Sequence, residues 1–134
     1  MYKMSPGPSV YVDVDDTLIM WSKPENYREE DLIEITCRGV TDKYVVNRHN
    51  LHHLIKMGSR AHAIVVWSAG GSDWAEAVVK ALDIGKYVEA ILTKPAYYID
   101  DVKDTSRFMG KYAYYDYDGK RHGYAPKEEE DESK

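Results

Sequence analysis

Cysteine, long apolar runs and a surplus of basic residues are all missing or scarce in this sequence, and each shortage excludes a class of protein. The single cysteine, Cys37, cannot form a disulfide within the chain and suits a reducing compartment. No apolar run approaches the about 20 residues that span a bilayer, and no basic segment followed by an apolar one opens the chain. The sequence therefore predicts a soluble, unexported protein of the cytoplasm, without a membrane partner.

The formal net charge of −5 is unevenly distributed. Residues 127–134 hold five acidic and two basic side chains, so this tail contributes −3 and residues 1–126 only −2. Such a tail is predicted to be disordered, whereas residues 1–126 are long enough for a single domain with one core. The body's weak negative charge argues against a general nucleic-acid-binding surface but leaves room for a local basic patch of Lys43, Arg48, Lys56 and Arg60.

Strand and helix patterns alternate along the body. Apolar or β-branched runs predict strands at residues 9–14, 33–37, 44–46, 61–67, 87–93 and 96–99. The first helix is predicted to begin after Asn47 and to stop at Gly58. A second is predicted to open with a capping box of Asp73 and Glu76 and to run up to Gly85. This alternation predicts an α/β three-layer sandwich around a mostly parallel, Rossmann-like sheet.

The first predicted strand runs directly into carboxylates. Residues 10–12 are apolar, and Asp13, Asp15 and Asp16 follow, with Thr17 close behind. Open parallel sheets bind their ligands at the carboxyl ends of the strands, so this stretch predicts an acidic site in a crevice. A local hydrogen bond from Thr17 could hold the turn that leaves the strand.

Three further polar elements lie at or beside predicted strand ends. Ser68 and Ala69 follow an apolar strand where a helix begins, and unsatisfied N–H groups at such a position favour phosphate. Lys94 follows the next predicted strand, and Asp100 and Asp101 follow another apolar run. Each has an ordinary alternative, namely a loop hydroxyl, a solvated lysine and a polar strand end.

In this order, the four elements resemble the motifs of the haloacid dehalogenase-like (HAD) superfamily over residues 10–101. The resemblance implies that Asp13 is a nucleophile forming an aspartyl-phosphate and that Asp15 is the general acid and base. Asp16 stands where the family often has glycine, and acidic residues occur there in some members. Dehalogenases lack the second aspartate because they have no leaving alcohol to protonate, so Asp15 favours phosphate-ester hydrolysis.

The resemblance also implies how the phosphoryl group and a metal ion are held. Lys94 would neutralise the nucleophile and the transferring group, and further phosphate contacts would come from Thr17, Ser68 and Ala69. One Mg²⁺ would be the cofactor, because hard divalent ions prefer oxygen ligands. The implied metal ligands are Asp13, Asp15, Asp100 and Asp101, and the sequence leaves open which member of the last pair touches the ion.

The spacing of the motifs leaves no room for a full cap domain. Residues 19–46 suffice only for a flap, predicted to be a β-hairpin over the first motif, and Lys94 lies close to Asp100. An open site favours a Mg²⁺-dependent phosphatase acting on a phosphate displayed by a large molecule. A nucleic-acid end phosphatase or nucleotidase and a non-catalytic phosphate-binding protein stay as alternatives. The oligomeric state and the natural substrate are not indicated.

Histidines and tyrosines outside these motifs receive structural interpretations. His49 and His53 fall opposite the apolar stripe of the first helix, so a solvated face is favoured over a metal site. Cys37, within a predicted strand, is expected to be a small buried residue. The tyrosine-rich residues 112–124 are predicted to pack a carboxyl-terminal hairpin against the sheet, with base stacking as the alternative.

Overall fold

The structure, a computed structural model, describes residues 8–123. Its elements in chain order are β1 (Ser9–Asp13), β2 (Ile19–Met20), a 3-10 turn (Glu29–Asp31), β3 (Leu32–Cys37), β4 (Val40–Val46), α1 (Arg48–Ser59), β5 (Ala63–Ser68), α2 (Ser72–Leu82), a 3-10 turn (Gly85–Tyr87), β6 (Val88–Thr93), α3 (Ser106–Met109), β7 (Ala113–Tyr115) and β8 (Arg121–Gly123). The predicted tail at residues 127–134 lies outside the described part. Within residues 8–123, no helix is both long and apolar enough to cross a membrane.

A parallel sheet in the order β1, β5, β6 lies at the centre of the fold. β1 pairs with β5 as far as Asp13 opposite Trp67, and β5 pairs with β6 as far as Ser68 opposite Thr93. Because the three strands run in the same direction, their carboxyl ends meet at one edge of the sheet. The predicted mixed α/β class with a parallel, Rossmann-like sheet is confirmed, and its carboxyl edge carries Asp13 and Ser68.

The core joins the sheet, both longer helices and the loop after β1. Buried apolar side chains at helical spacing come from both helices: Leu54 and Met57 on α1, and Trp74, Ala75, Val78 and Val79 on α2. They form one cluster with Val14 and Leu18, which are fully buried. Burying a side chain of this size contributes roughly 1.5–3 kcal/mol. The loop after β1 is thus anchored in the core on either side of Asp15.

Helix α1 begins as predicted and ends differently. The side chain of Asn47 accepts hydrogen bonds from the main-chain N–H groups of His49 and Asn50, both at 3.1 Å, as an N-cap does. The predicted stop at Gly58 is wrong, because this residue is helical and has no positive φ. A Cβ there would lie 3.1 Å from Tyr87 Cβ, so glycine instead allows α1 to approach the chain after α2 closely.

The capping box predicted for α2 is also wrong. Gly71, with a φ of 110°, is the N-cap and provides no side-chain hydrogen bond. The Asp73 carboxylate accepts instead from the Arg38 guanidinium, at 2.6 and 2.7 Å. The N-cap therefore lies two residues before the predicted one, and Asp73 stands inside the first turn of the helix.

Residues 96–99 do not form the predicted strand. This segment is exposed, with Tyr97 and Ile99 at 79% and 93% of full accessibility, and no strand occurs between β6 and β7. The apolar run has no neighbouring strand to pair with, and Pro95 cannot donate a ladder hydrogen bond. The chain next forms the short helix α3, which begins at Ser106.

The predicted hairpin after the first motif is confirmed and belongs to a three-stranded antiparallel sheet, β2-β4-β3. We call this sheet the flap. β3 pairs with β4 up to Cys37 opposite Val40, so the turn is only Arg38 and Gly39 rather than the predicted residues 38–43. Both turn residues have positive φ, 52° and 78°, as a tight two-residue hairpin turn requires. Cys37 is a half-buried free thiol.

A second hairpin of β7 and β8 closes the described chain, and we call residues 113–123 the C-terminal hairpin. Its turn contains Asp118 and Gly119. The hairpin lies on α1 rather than on the parallel sheet: the ring centres of Tyr115 and His53 are 5.7 Å apart, and Gly119 packs against the His49 ring. Both histidines are partly covered by this contact instead of forming a fully solvated face.

Candidate active site

The backbone reverses sharply after β1. The N–H groups of Thr17, Leu18 and Ile19 all donate to the Val14 carbonyl, at 3.1, 2.8 and 3.2 Å. Asp16 has a φ of 62°, a left-handed conformation that aspartate tolerates better than most residues. This compact turn, residues 13–18, is called the acidic loop below.

Thr17 and Lys94 both contact the Asp13 carboxylate. The Thr17 hydroxyl donates to Asp13 Oδ2 at 3.1 Å, and Lys94 Nζ lies 3.8 Å from Asp13 Oδ1. The side chains of Asp13 and Lys94 retain 33% and 45% of their accessibility, so the carboxylate is held on two sides and still open to a ligand. Lys94 reaches this position because it directly follows β6 at the carboxyl edge of the sheet.

Ser68 lies at the same edge, at the end of the central strand. It is 1% exposed, its hydroxyl oxygen accepts from Gly70 N–H at 2.9 Å, and its carbonyl accepts from Lys94 N–H at 2.9 Å. A hydroxyl that accepts one hydrogen bond still has its own O–H to donate to a ligand. Ala69 follows at an exposed position in the same turn.

Asp15 has a partner that the sequence did not reveal. The Trp74 indole Nε1–H donates to Asp15 Oδ1 at 2.8 Å, and Trp74 is 8% exposed. From the sequence, Trp74 is one apolar residue in a helical stripe. The available signal was its place in the first turn of the helix after Ser68, since a buried indole N–H usually requires an acceptor.

The surroundings of Asp15 favour its protonated form. Burial raises the pKa of the Asp15 carboxyl above its ordinary value, and the negative charges of Asp13 and Asp16 raise it further. The hydrogen bond from Trp74 opposes this rise by stabilising the carboxylate. A carboxyl whose pKa is raised by its surroundings is suited to the role of a general acid.

Asp100 and Asp101 lie in the exposed segment between β6 and α3. Asp100 Oδ1 accepts from the Val102 main-chain N–H at 2.9 Å, and this bond holds the pKa of Asp100 below its ordinary value. Within residues 8–123, no group of three or more His, Cys, Asp or Glu side chains is arranged to hold a metal ion. The carboxylates of the acidic loop are suitable ligands for Mg²⁺ in kind, although the last aspartate pair is not grouped with them.

The flap and α2 enclose a cavity of about 270 Å³ directly beside Asp15. Three aromatic rings line it and contact one another with centres 5.5 to 6.3 Å apart: Trp21, Tyr44 and Trp74. The tip of the flap is fastened to α2, because Arg38 donates to the Asp73 carboxylate and to the Gly70 carbonyl at 2.9 Å. The predicted flap thus forms one wall of the site.

A larger cavity of about 520 Å³ lies away from these carboxylates. Its walls come from α1 and the C-terminal hairpin, and its lining includes Arg48, His49, His52, His53 and Lys56. It contains neither the nucleophile nor the acid expected from the sequence. The smaller cavity, in contrast, is lined by one of the expected site residues, Asp15.

One parallel sheet carries carboxylates, a lysine and a hydroxyl at the ends of its strands. This arrangement defines the class of protein, a HAD-like phosphatase. A family model described as NLI interacting factor-like phosphatase matches residues 8–111. This is most of the chain, and the chain belongs to that family of small, capless phosphatases acting on phosphate esters. The predicted superfamily and enzyme class are confirmed. Neither a curated protein nor a solved structure gave a significant match.

Proposed function

We propose that the chain is a Mg²⁺-dependent phosphomonoesterase that works through an aspartyl-phosphate on Asp13. The observation that carries this proposal is the placement of the Asp13 carboxylate between Lys94 Nζ at 3.8 Å and the Thr17 hydroxyl at 3.1 Å, with Asp15 on the same loop. A nucleophile held by a cation and beside a group able to give a proton meets the needs of phosphoryl transfer.

In the first step, an Asp13 carboxylate oxygen attacks phosphorus and the bond from phosphorus to the ester oxygen breaks. Asp15 gives its proton to the departing oxygen, so the alcohol leaves neutral. In the second step, Asp15 takes a proton from water as the water oxygen attacks phosphorus, and the bond to Asp13 breaks to release inorganic phosphate. Its raised pKa favours Asp15 for the first of these proton transfers.

The phosphoryl oxygens are bound by positive charge and hydrogen-bond donors at the carboxyl edge of the sheet. Lys94 supplies the charge, the Ser68 hydroxyl and the Ala69 N–H supply donors, and Thr17 keeps Asp13 oriented. The positions of Ser68 and Lys94 at the ends of adjacent strands support these roles. Such donors act most strongly on charge that develops in the transition state.

Mg²⁺ would be held by the Asp13 carboxylate and the Asp15 carbonyl, and Asp100 or Asp101 would complete the site after a rearrangement of the segment between β6 and α3. When bound, the ion would neutralise charge on the phosphoryl oxygens. The proposal also includes the cytoplasmic location, with which the free thiol of Cys37 is compatible.

The substrate we propose is a phosphate displayed on a large molecule, with its alcohol portion in the aromatic cavity beside Asp15. The cavity opens between the flap and α2, and Trp21 retains 60% of its accessibility there. A second candidate is the phosphorylated end of a nucleic acid, because exposed aromatic rings can stack on bases.

The test is hydrolysis of an aryl phosphate with and without Mg²⁺, comparing wild type with Asp13→Asn. Metal-dependent turnover that the variant loses would support the mechanism. A folded wild type that binds phosphate without turnover would support the non-catalytic alternative. Phosphate release from phosphopeptides, 3′- and 5′-phosphorylated oligonucleotides and free nucleotides then separates the substrate classes.

A further inference from the structure

The C-terminal hairpin contacts the acidic loop, although the family match ends at residue 111. The Tyr114 hydroxyl donates to the Asp16 carbonyl at 3.0 Å. Burial raises the pKa of Tyr114 above its ordinary value, so this hydroxyl keeps its proton at neutral pH. A residue outside the family match is thus bonded directly to the loop between Asp13 and Thr17.

Asn50 on α1 provides a second connection between the same two segments. Its Nδ2 donates to the Thr17 carbonyl at 2.9 Å and to the Tyr115 carbonyl at 2.8 Å, while its Oδ1 accepts from Tyr115 N–H at 2.8 Å. The side chain is 6% exposed, so these bonds form in a largely dry environment. The same carboxamide therefore holds both the hairpin and the acidic loop.

The hydrogen bonds that hold the acidic loop also affect the positions of the two carboxylates that it carries, Asp13 and Asp15. Asp16 is held in a left-handed conformation, which is strained for most residues other than glycine and persists only where the surrounding structure enforces it. The two external bonds reach the carbonyls of Asp16 and Thr17, and the Thr17 hydroxyl in turn orients Asp13. A displacement of this turn would move the nucleophile and the acid together.

We propose that Tyr114 and Asn50 are positioning residues through which the C-terminal hairpin holds the acidic loop in its reactive geometry. The inference rests on the proposed function, since it assigns catalytic meaning to that geometry. Neither side chain contacts the reacting groups, and both act through the backbone of Asp16 and Thr17.

The chain contains a matched control in Tyr117, another tyrosine of the C-terminal hairpin. Its hydroxyl donates to Asp31 Oδ2 at 2.7 Å and accepts from Arg28 N–H at 2.8 Å, contacts outside the acidic loop. Tyr114→Phe and Tyr117→Phe each remove one hydroxyl from the same hairpin. If the hairpin only adds stability, the two variants should lower the melting temperature and leave kcat unchanged.

For Tyr114→Phe we expect kcat for an aryl phosphate to fall about tenfold with KM nearly unchanged, because small displacements of reacting groups are costly. Tyr117→Phe should keep kcat within about twofold of wild type, the difference expected when geometry is retained. Asn50→Ala should show the larger loss of kcat, and Tyr114→Phe decides the question if Asn50→Ala does not fold. A wild-type kcat in Tyr114→Phe would overturn the proposal.

Amide hydrogen exchange gives a measurement that does not depend on turnover. The N–H groups of Thr17 and Leu18 donate to the Val14 carbonyl within the acidic loop, at 3.1 and 2.8 Å, and Asp16 N–H donates to the Ile19 carbonyl at 2.6 Å. They should exchange several-fold faster in Tyr114→Phe than in Tyr117→Phe, after correction for global stability. Equal exchange would overturn the inference. If the wild type is inactive but the exchange difference is present, the proposed function is refuted. The hairpin would then still hold the acidic loop, but Tyr114 and Asn50 would have no catalytic role.

Discussion

The indole Nε1 of Trp74 and the Oδ1 of Asp15 are 2.8 Å apart, joining the first turn of α2 to the acidic loop. This bond favours the ionised carboxyl, against burial and the neighbouring negative charges that favour the protonated form. The balance between these effects sets the pKa of the Asp15 carboxyl, which is raised above its ordinary value.

Trp74→Phe should move the basic limb of the kcat/KM profile to higher pH. Removing the indole donor destabilises the carboxylate, so the pKa of Asp15 rises further and the acid form persists to higher pH. Trp21→Phe is the matched variant, because Trp21 lines the same cavity but bonds Asp16 through its main-chain N–H. The basic limb of the Trp21→Phe profile should remain at the wild-type pH. A limb that moves equally in both variants would contradict the assignment of Asp15 as the acid.

Asp15→Asn should lower kcat by roughly 10²- to 10⁴-fold, the range of a lost general acid. The loss should be larger for an alkyl phosphate than for an aryl phosphate, because an alkoxide needs protonation more. Asp16→Asn is the control, since asparagine tolerates the left-handed backbone and keeps the oxygen that accepts from Trp21 N–H. Equal losses with both leaving groups would assign Asp15 another role.

Lys94→Met should lower kcat/KM by on the order of 10²- to 10³-fold, as expected when a donor to developing charge is removed. The cation 3.8 Å from Asp13 would be gone, leaving the nucleophile and the phosphoryl group to repel each other. Lys80→Met on α2 removes an exposed lysine without touching the site and should be near wild type. Similar kinetics in the two variants would place Lys94 outside the mechanism.

Asp100→Asn and Asp101→Asn should distinguish which carboxylate completes the metal site. Substitution of the aspartate that binds the ion should weaken Mg²⁺ binding, as measured by calorimetry, by roughly tenfold or more, which corresponds to about 1.4 kcal/mol. Asp104→Asn is the control, because Asp104 lies in the same segment and accepts a similar local bond, from Ser106 N–H at 3.0 Å. Unchanged binding in both test variants would remove this pair from the site.

Asn47→Ala should lower the free energy of unfolding by about 2 kcal/mol, from one lost helix cap and one lost hydrogen bond to the Tyr115 carbonyl. Asn47→Ser keeps a good cap and should lose about half as much. Asn26→Ala removes an exposed bond to Asp118 and should stay within about 0.5 kcal/mol of wild type. Urea denaturation measures all three, and equal losses for alanine and serine would show that the cap contributes nothing.

The local pattern of residues along the sequence was sufficient to predict much of the fold. The Asn47 cap and the flap hairpin could be predicted because each depends on residues close together in the chain. The parallel pairing of β1 with β5 joins more distant residues, and it was expected from the alternation of strands and helices. Residues 96–99 show the limit of that reasoning. They have the composition of a strand, but a strand also needs a partner, and in the structure none pairs with them.

The sequence by itself determined which groups stand at the carboxyl edge of the sheet, since Asp13, Ser68 and Lys94 each follow an apolar strand. Only the tertiary structure decided their partners. Trp74 lies 59 residues from Asp15 along the chain, and Tyr114 lies 98 residues from Asp16. Contacts over such separations depend on how the flap, α1 and the C-terminal hairpin pack together, and hydrophobic periodicity does not encode that packing.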